Sequence, residues 1–335
     1  MVRILGSPKN KQTNKQTNKN NMKNKILATI AAFSLAGSVF AIDVNDNLSI
    51  NGFIDGSYRS TEKTSETDKQ SLGLDEVEID FLFNVASVSG EVHIDSESAD
   101  GTIGADFDIE QAHFSYSLEN GVNFTFGRFG SALGFEREDP AGLFTFSRAY
   151  DNTFNFGDVD ANTYDGIAVG YSAEVFSINA AFVNETANQA ALEGNDIDLE
   201  ISINYTGIEN LNLGLGYYFD NESVSTSEND ILNVHASTSF GKLFMAAEYS
   251  EINNDNSGDR DAYMLLADYD ISEKFGIAAR ISSYERIGLN DDVDMLTIAP
   301  NYSITESLGV IVEYSDIDQG TTDTDQIAVE LTYTF

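Results

Sequence analysis

From residue 47 to its last residue the chain keeps one pattern: runs in which apolar and polar side chains alternate, each followed by a connection. A repeat of two is the signature of a β-strand with unlike faces, and no helix reproduces it. Residues 47–59 read as the first strand. Val77, Ile79, Phe81 and Phe83 then share one face, with Glu76, Glu78 and Asp80 on the other. The same alternation recurs in Ala112, Phe114, Tyr116 and Leu118, in Ile197, Leu199, Ile201 and Ile203, and in Phe275, Ile277, Ala279 and Ile281. It ends in Ile327, Val329, Leu331, Tyr333 and Phe335, interleaved with Ala328, Glu330 and two threonines. The chain is therefore all-β and built from antiparallel hairpins.

The connections alternate in length. Short ones fall at 86–90, 119–121, 173–174, 207–210, 241–242, 270–274 and 305–307. Long polar ones fall at 60–70, 97–105, 130–163, 185–195, 221–229, 253–260, 285–291 and 316–324. Seven short and eight long connections join about 16 strands, within a range of 14–18. Two architectures accept such a series. In a soluble sandwich the apolar faces meet in a core; in a transmembrane barrel they meet lipid and the polar faces line a lumen.

The amino-terminal residues bear on this choice. Met22-Lys23-Asn24-Lys25 is a basic start, 26–39 is apolar, and Val39-Phe40-Ala41 offers small residues at a cleavage point. That is the layout of a secretory signal peptide over 22–41. Residues 1–21, rich in Lys, Asn, Gln and Thr, precede Met22 as an upstream start-site artefact, and the folded part is 42–335. The first 41 residues hold seven of the 18 basic residues and none of the 55 acidic ones, which leaves 42–335 with a formal charge of −44. So negative a chain repels nucleic acid and favours cations and divalent-bridged lipid headgroups. With no cysteine, disulfide frameworks and thiolate metal sites are excluded.

An exported chain with this series of hairpins, and with Tyr or Phe recurring near strand ends, fits a transmembrane antiparallel β-barrel of a Gram-negative outer membrane. Its final strand resembles the closing strand of that class, in which Tyr333 and Phe335 would form the signal read by the barrel assembly machinery. A barrel of 16 strands is wide enough for a water-filled channel.

The 130–163 connection exceeds all others and carries Phe129, Phe135, Leu143, Phe144, Phe146, Tyr150, Phe154 and Phe156 in or beside it. Long connections rich in aromatics are usually packed against something, and folding this one into the lumen would narrow the pore. Glu136, Glu138 and Asp139 are expected to face Arg137 and Arg148 across the constriction; the alternative is that Arg148 and Glu136 merely pin the loop to the wall. Glu76, Glu78, Asp80, Asp198 and Glu200 are expected to form an acidic lumen wall, with Arg280 the clearest inward basic residue. Such a lining concentrates cations.

Gly127-Arg128-Phe129, Gly134-Phe135-Glu136, Phe146-Ser147-Arg148-Ala149-Tyr150 and Gly166 leading into the Tyr171 strand resemble the OmpL-like β-barrel porins. The match covers roughly residues 108–172 and departs at Ala149, where that family more often has Ser. The resemblance implies passive transport of small solutes, with no catalytic residues and no cofactor. A homotrimer follows by analogy with sixteen-strand porins.

Other chemistry is weaker. His113 and Ser115 share a strand face, the spacing of a base and nucleophile in a barrel phospholipase, but a lumen-facing pair cannot reach a lipid ester. His93 near Asp95 resembles an omptin-like protease without its companion acids, and His235 reads as a wall residue. No zinc-spaced His/Glu motif is present. Asp255, Asp259 and Asp261 alternate around Gly258 loosely as in a calcium loop, without the distal Glu. Asp158, Asp160, Asp291, Asp292 and Asp294 could bridge lipopolysaccharide through divalent ions. The expected function is passive diffusion of small hydrophilic solutes, with cation preference. The rivals are a substrate-specific nutrient channel, such as one for a sugar, and a surface or adhesion barrel that conducts nothing.

Overall fold

The computed structural model describes residues 41–97, 107–137, 139–150, 163–184, 197–221, 229–254, 258–286 and 292–335. The leader readings, Glu138 and Asp255 lie outside these residues. The strands are β1 (Ile42–Asn45), β2 (Leu48–Lys63), β3 (Lys69–Val85), β4 (Val88–Glu97), β5 (Asp108–Ser117), β6 (Val122–Gly130), β7 (Thr163–Ser172), β8 (Phe176–Asn184) and β9 (Asp198–Ile208). They continue through β10 (Leu211–Phe219), β11 (Asn229–Phe240), β12 (Leu243–Asn254), β13 (Arg260–Asp270), β14 (Phe275–Glu285), β15 (Asp292–Ser303), β16 (Leu308–Gln319) and β17 (Thr322–Thr334).

From β2 to β17 each strand pairs antiparallel with its sequence neighbours, and β17 pairs back onto β2, so sixteen strands close on themselves. Closure leaves no unpaired edge, which a strand in lipid could not tolerate. Among the described residues no helix is long and apolar enough to cross a membrane; the strands cross it.

The seam is tight. Phe335 donates its N–H to the Gly52 carbonyl at 3.0 Å and accepts the Gly52 N–H at 3.1 Å. A β-carbon on Gly52 would lie 2.2 Å from the Glu78 carbonyl and 3.0 Å from the Phe335 ring. Beyond Phe335, the short strand β1 takes over the pairing with β2, from Ile42 opposite Ile50 to Asn45 opposite Leu48. β1 precedes the first strand expected at 47–59, because an alternation only four residues long is too short to stand out.

All seven short turns fall where the spacing put them. Two long connections do not. At 316–324 the structure has a hairpin where the sequence predicts a loop: β16 and β17 pair without a break from Leu308 opposite Tyr333 to Gln319 opposite Thr322. Only Gly320 and Thr321 turn, with Gly320 at φ 63°, a conformation glycine adopts without steric cost. The loop expected at 60–70 likewise shrinks, because β2 and β3 pair out to Thr61 opposite Lys69. These ladders run on past the apolar stretch with polar side chains, and composition there imitates a loop.

Exposure alternates along the strands as a barrel in lipid requires. On β13, Tyr263 and Leu265 are about half exposed, whereas Ala262, Met264 and Leu266 are buried. Phe114, Phe126, Phe182 and Ile281 also point outward. Three inward residues of β13, Ala262, Met264 and Leu266, are apolar, contrary to a simple polar lumen, because something covers them.

Candidate functional site

The covering element is the segment 131–150, which runs across the barrel interior and is fastened strand by strand. The Glu200 carboxylate on β9 accepts the Ser131 hydroxyl at 2.6 Å and the Ala132 N–H at 2.8 Å. Asn233 on β11 accepts the Gly134 N–H at 3.2 Å, and Glu248 on β12 accepts the Phe135 N–H at 2.7 Å. Further along, Glu313 on β16 accepts the Ser147 N–H at 3.1 Å. A loop has backbone donors with no ladder to satisfy them. Here wall side chains supply the acceptors, and carboxylates make the stronger, charge-assisted bonds.

Arg280 on β14 is the central fastening. Its guanidinium is fully enclosed and donates to Glu136 Oε1 at 2.8 Å and to Thr145 Oγ1 at 2.8 Å. It also donates to the Ser147 carbonyl at 2.6 Å, the Ser147 hydroxyl at 2.8 Å and the Arg148 carbonyl at 2.9 Å. The other oxygen of Glu136 accepts the Ala149 N–H at 2.6 Å. One buried ion pair thus ties both limbs of the loop together and to the wall.

Apolar packing follows the same path. Ala149 and Tyr150 sit in a cluster with Ala246, Met264, Leu266 and Tyr284, bordered by Phe135, Phe144 and Phe244. Phe244 stacks between Phe144, at 4.9 Å between ring centres, and Phe135, at 6.2 Å. Phe129 and Leu133 form a second cluster with Tyr164, Ala168, Val183 and Tyr218. Continuous apolar runs such as Tyr263-Met264-Leu265-Leu266-Ala267 are the sequence signal of strands covered on both faces. Between 140–144 of the loop and the short-turn ends of β13, β15, β16 and β17 a cleft of about 330 Å³ remains, with Asp268, Asn301, Thr332 and Thr334 in its wall.

Of the residues expected at a constriction, Glu136, Arg137, Asp139 and Arg148 lie in the described part of this segment, with partners the spacing did not specify. Glu136 pairs with Arg280. Arg148 donates to the Glu136 backbone carbonyl at 2.6 Å, and Arg137 donates to the Ser131 carbonyl at 3.2 Å. Asp139 is buried just ahead of a short 3-10 turn over Pro140–Gly142. Of the acidic wall, Glu200 is engaged by the loop. Asp198 accepts the Tyr218 hydroxyl at 2.6 Å and the Asn221 N–H at 2.8 Å. The motif glycine, Gly127, is set by close approach: a β-carbon there would lie 2.2 Å from the Ala112 carbonyl. Its neighbour Arg128 pairs with Asp165 across β6 and β7 at 3.0 Å.

Glu78 and Asp80 belong to a crowd that spacing did not reveal. Glu78, Asp80, Asp95, Glu110 and Asp139 are all buried, with His93 among them. Like charges about 4 Å apart repel by roughly 4 kcal/mol even at an effective dielectric near 20, so the crowd must be offset by protonation or by positive charge. Register explains it: Asp80 lies opposite His93, and Glu78 opposite Asp95. A β-bulge in the β4–β5 pairing, between His93 and Ile94, lets Glu110 as well as Gln111 turn inward.

The remaining candidates do not assemble. Ser115 bonds to Thr125 at 2.7 Å, while His113 packs edge-on against Phe129. Asp259 and Asp261 are exposed and join no metal-sized group among the described residues.

A family model described as Gram-negative porin matches residues 26–322. Three similar solved structures are the anion-selective porin from Comamonas acidovorans, OmpF of Salmonella typhi in complex with daunomycin, and the trimer form of in-vitro-folded OmpT from Vibrio cholerae. The first is 12% identical, with a TM-score of 0.63 over 86% of this chain and 99% of that one. The second is 14% identical, with a TM-score of 0.68 over 88% and 100%. The third is 13% identical, with a TM-score of 0.57 over 87% and 100%. No match to a curated protein is found by sequence.

Proposed function

The chain belongs to the Gram-negative porin family, and from that premise we propose a water-filled diffusion channel that prefers cations. It is an outer-membrane β-barrel and a passive, non-enzymatic pore; the solute range and the sign of selectivity are our reading. One observation carries the selectivity: the charged residues buried on the inward side are mostly carboxylates, among them Asp55, Glu78, Asp80, Glu110, Glu313 and Glu330. Their main cationic counterpart, Arg280, is itself neutralised by Glu136. A low-dielectric wall of one sign concentrates counter-ions. The constriction is assigned to Glu136, Arg137, Glu138, Asp139 and Arg148, carried by the 130–163 loop. The test is the reversal potential across a planar bilayer under a KCl gradient. It should report K⁺ over Cl⁻, with the preference shrinking as salt rises; anion preference overturns the reading.

The stacked Phe135, Phe244 and Phe144 rings favour a second reading, a channel with an aromatic track for one nutrient such as a sugar. Block of the current by a particular solute would identify it. We assign residues 22–41 to a cleaved leader and 42–335 to the barrel, place the chain near the OmpL-like porins, and propose a homotrimer surrounded by lipid and lipopolysaccharide.

A further inference from the structure

We propose that Glu78, His93 and Glu110 form a binding site for a first-row divalent cation in the barrel wall, at the edge of the docked loop. One ligand atom from each lies within 4.8 Å of the other two. His93 Nδ1 is 3.0 Å from Glu78 Oε1, 3.3 Å from Asp80 Oδ1 and 3.8 Å from Glu110 Oε2. Donors about 2.0–2.2 Å from a tetrahedral ion lie roughly 3.3–3.6 Å from one another. The distances from His93 to Glu78 and Glu110, 3.0 and 3.8 Å, bracket that range, so small side-chain shifts would bring all three onto one ion.

Two independent observations point to a ligand. Glu78 is wholly enclosed, yet neither of its oxygens is hydrogen-bonded, the His93 ring standing at ion-pair distance without the angle of a hydrogen bond. The same holds for Asp80 Oδ1, Glu110 Oε2 and His93 Nδ1. Buried polar atoms left in that state are rare and call for an explanation; a shared cation satisfies all of them together. In addition, His93 Nε2 faces Glu91 Oε2 at 3.3 Å. A carboxylate on the far ring nitrogen is the usual partner of a metal-binding imidazole, because it fixes the tautomer and directs the other lone pair at the ion. Here that lone pair is on Nδ1, which lies 3.0–3.8 Å from the carboxylates of Glu78, Asp80 and Glu110.

An imidazole among carboxylates suits zinc or its first-row neighbours better than calcium or magnesium, which take oxygen donors. The bulge that turns Glu110 inward completes the set, as bulges beside functional sites commonly do. Asp139 brings the loop to the same place, with its carboxylate grouped with those of Glu76 and Glu78 within 4.8 Å. A bound ion would then hold the loop near β3 while Arg280 holds it at β14.

The test is made on the full chain in detergent, stripped with EDTA and titrated with ZnCl₂ by calorimetry. The expected result is one tight Zn²⁺ per chain. H93N and E78Q should each lower the affinity by at least roughly 10–100-fold, whereas D323N, at an exposed acid far from the cluster, should leave it unchanged. Zinc X-ray absorption on the unmutated protein should show imidazole in a nitrogen/oxygen shell at about 2.0–2.2 Å, independently of how the variants fold. Absence of tight Zn²⁺ binding, equal binding by H93N, or a shell without imidazole overturns the proposal. These readouts concern binding alone and do not depend on what the channel conducts.

Discussion

Replacing Arg280 by Ala isolates the contact that fixes the loop. The substitution leaves Glu136, only 7% exposed at its side chain, without its 2.8 Å partner. It also strips donors from Thr145, Ser147 and the Arg148 carbonyl. Removing one member of a buried ion pair costs about 3–5 kcal/mol. At 1.4 kcal/mol per decade, that shifts the balance between docked and released loop by roughly a hundred- to several-thousandfold. The barrel itself should survive, because its ladder does not pass through Arg280's side chain. Glu200 and Glu248 should still hold the first limb, so the freed part is the return limb around 144–150. Single-channel recordings should show larger or noisier conductance, and limited proteolysis should cut within the loop. E136Q combined with R280A should be milder than the sum of the two, because no charge is then left buried alone. A silent R280A channel, equal to the parent in conductance, noise and protease resistance, would refute the view that this ion pair docks the loop.

Other outcomes follow from the same structure. Glu248→Leu removes the acceptor of the Phe135 N–H and should loosen the loop by about 1–3 kcal/mol, whereas Glu248→Gln keeps an acceptor and should change conductance little. Leu265→Arg puts a charge on the lipid face midway along β13, where it should cost about 2–4 kcal/mol in urea unfolding from liposomes. Gly52→Val sets a side chain against the Glu78 carbonyl and the Phe335 ring, so the closed, heat-modifiable band should be lost on unheated gels. Normal folding of that variant would show that the seam tolerates movement.

Period-two alternation survives in the sequence because each residue chooses lipid or interior by itself, as Leu265 and Leu266 do on adjacent positions. The short turns were legible for the same local reason. The polar hairpin around Gly320 was not, because Asp316 to Asp325 pair in water, where the ladder needs no apolar side chains to form. The loop residues were also visible as an aromatic, charged stretch, and Gly134-Phe135-Glu136 with 146–150 proved to be its docking segments. Their partners could not be read: Glu136 meets Arg280 across 144 positions, a distance at which spacing carries no information.

The sequence by itself determined the barrel, its strand direction, its lipid face and the segment that differs from the rest, since these depend on side chains a few residues apart. Only the tertiary structure decided that wall carboxylates such as Glu200, Glu248 and Glu313 accept loop backbone N–H groups instead of standing bare in water. Ring closure and a bulge at His93 bring strands of distant register together, and electrostatics inside a barrel acts between neighbours in space.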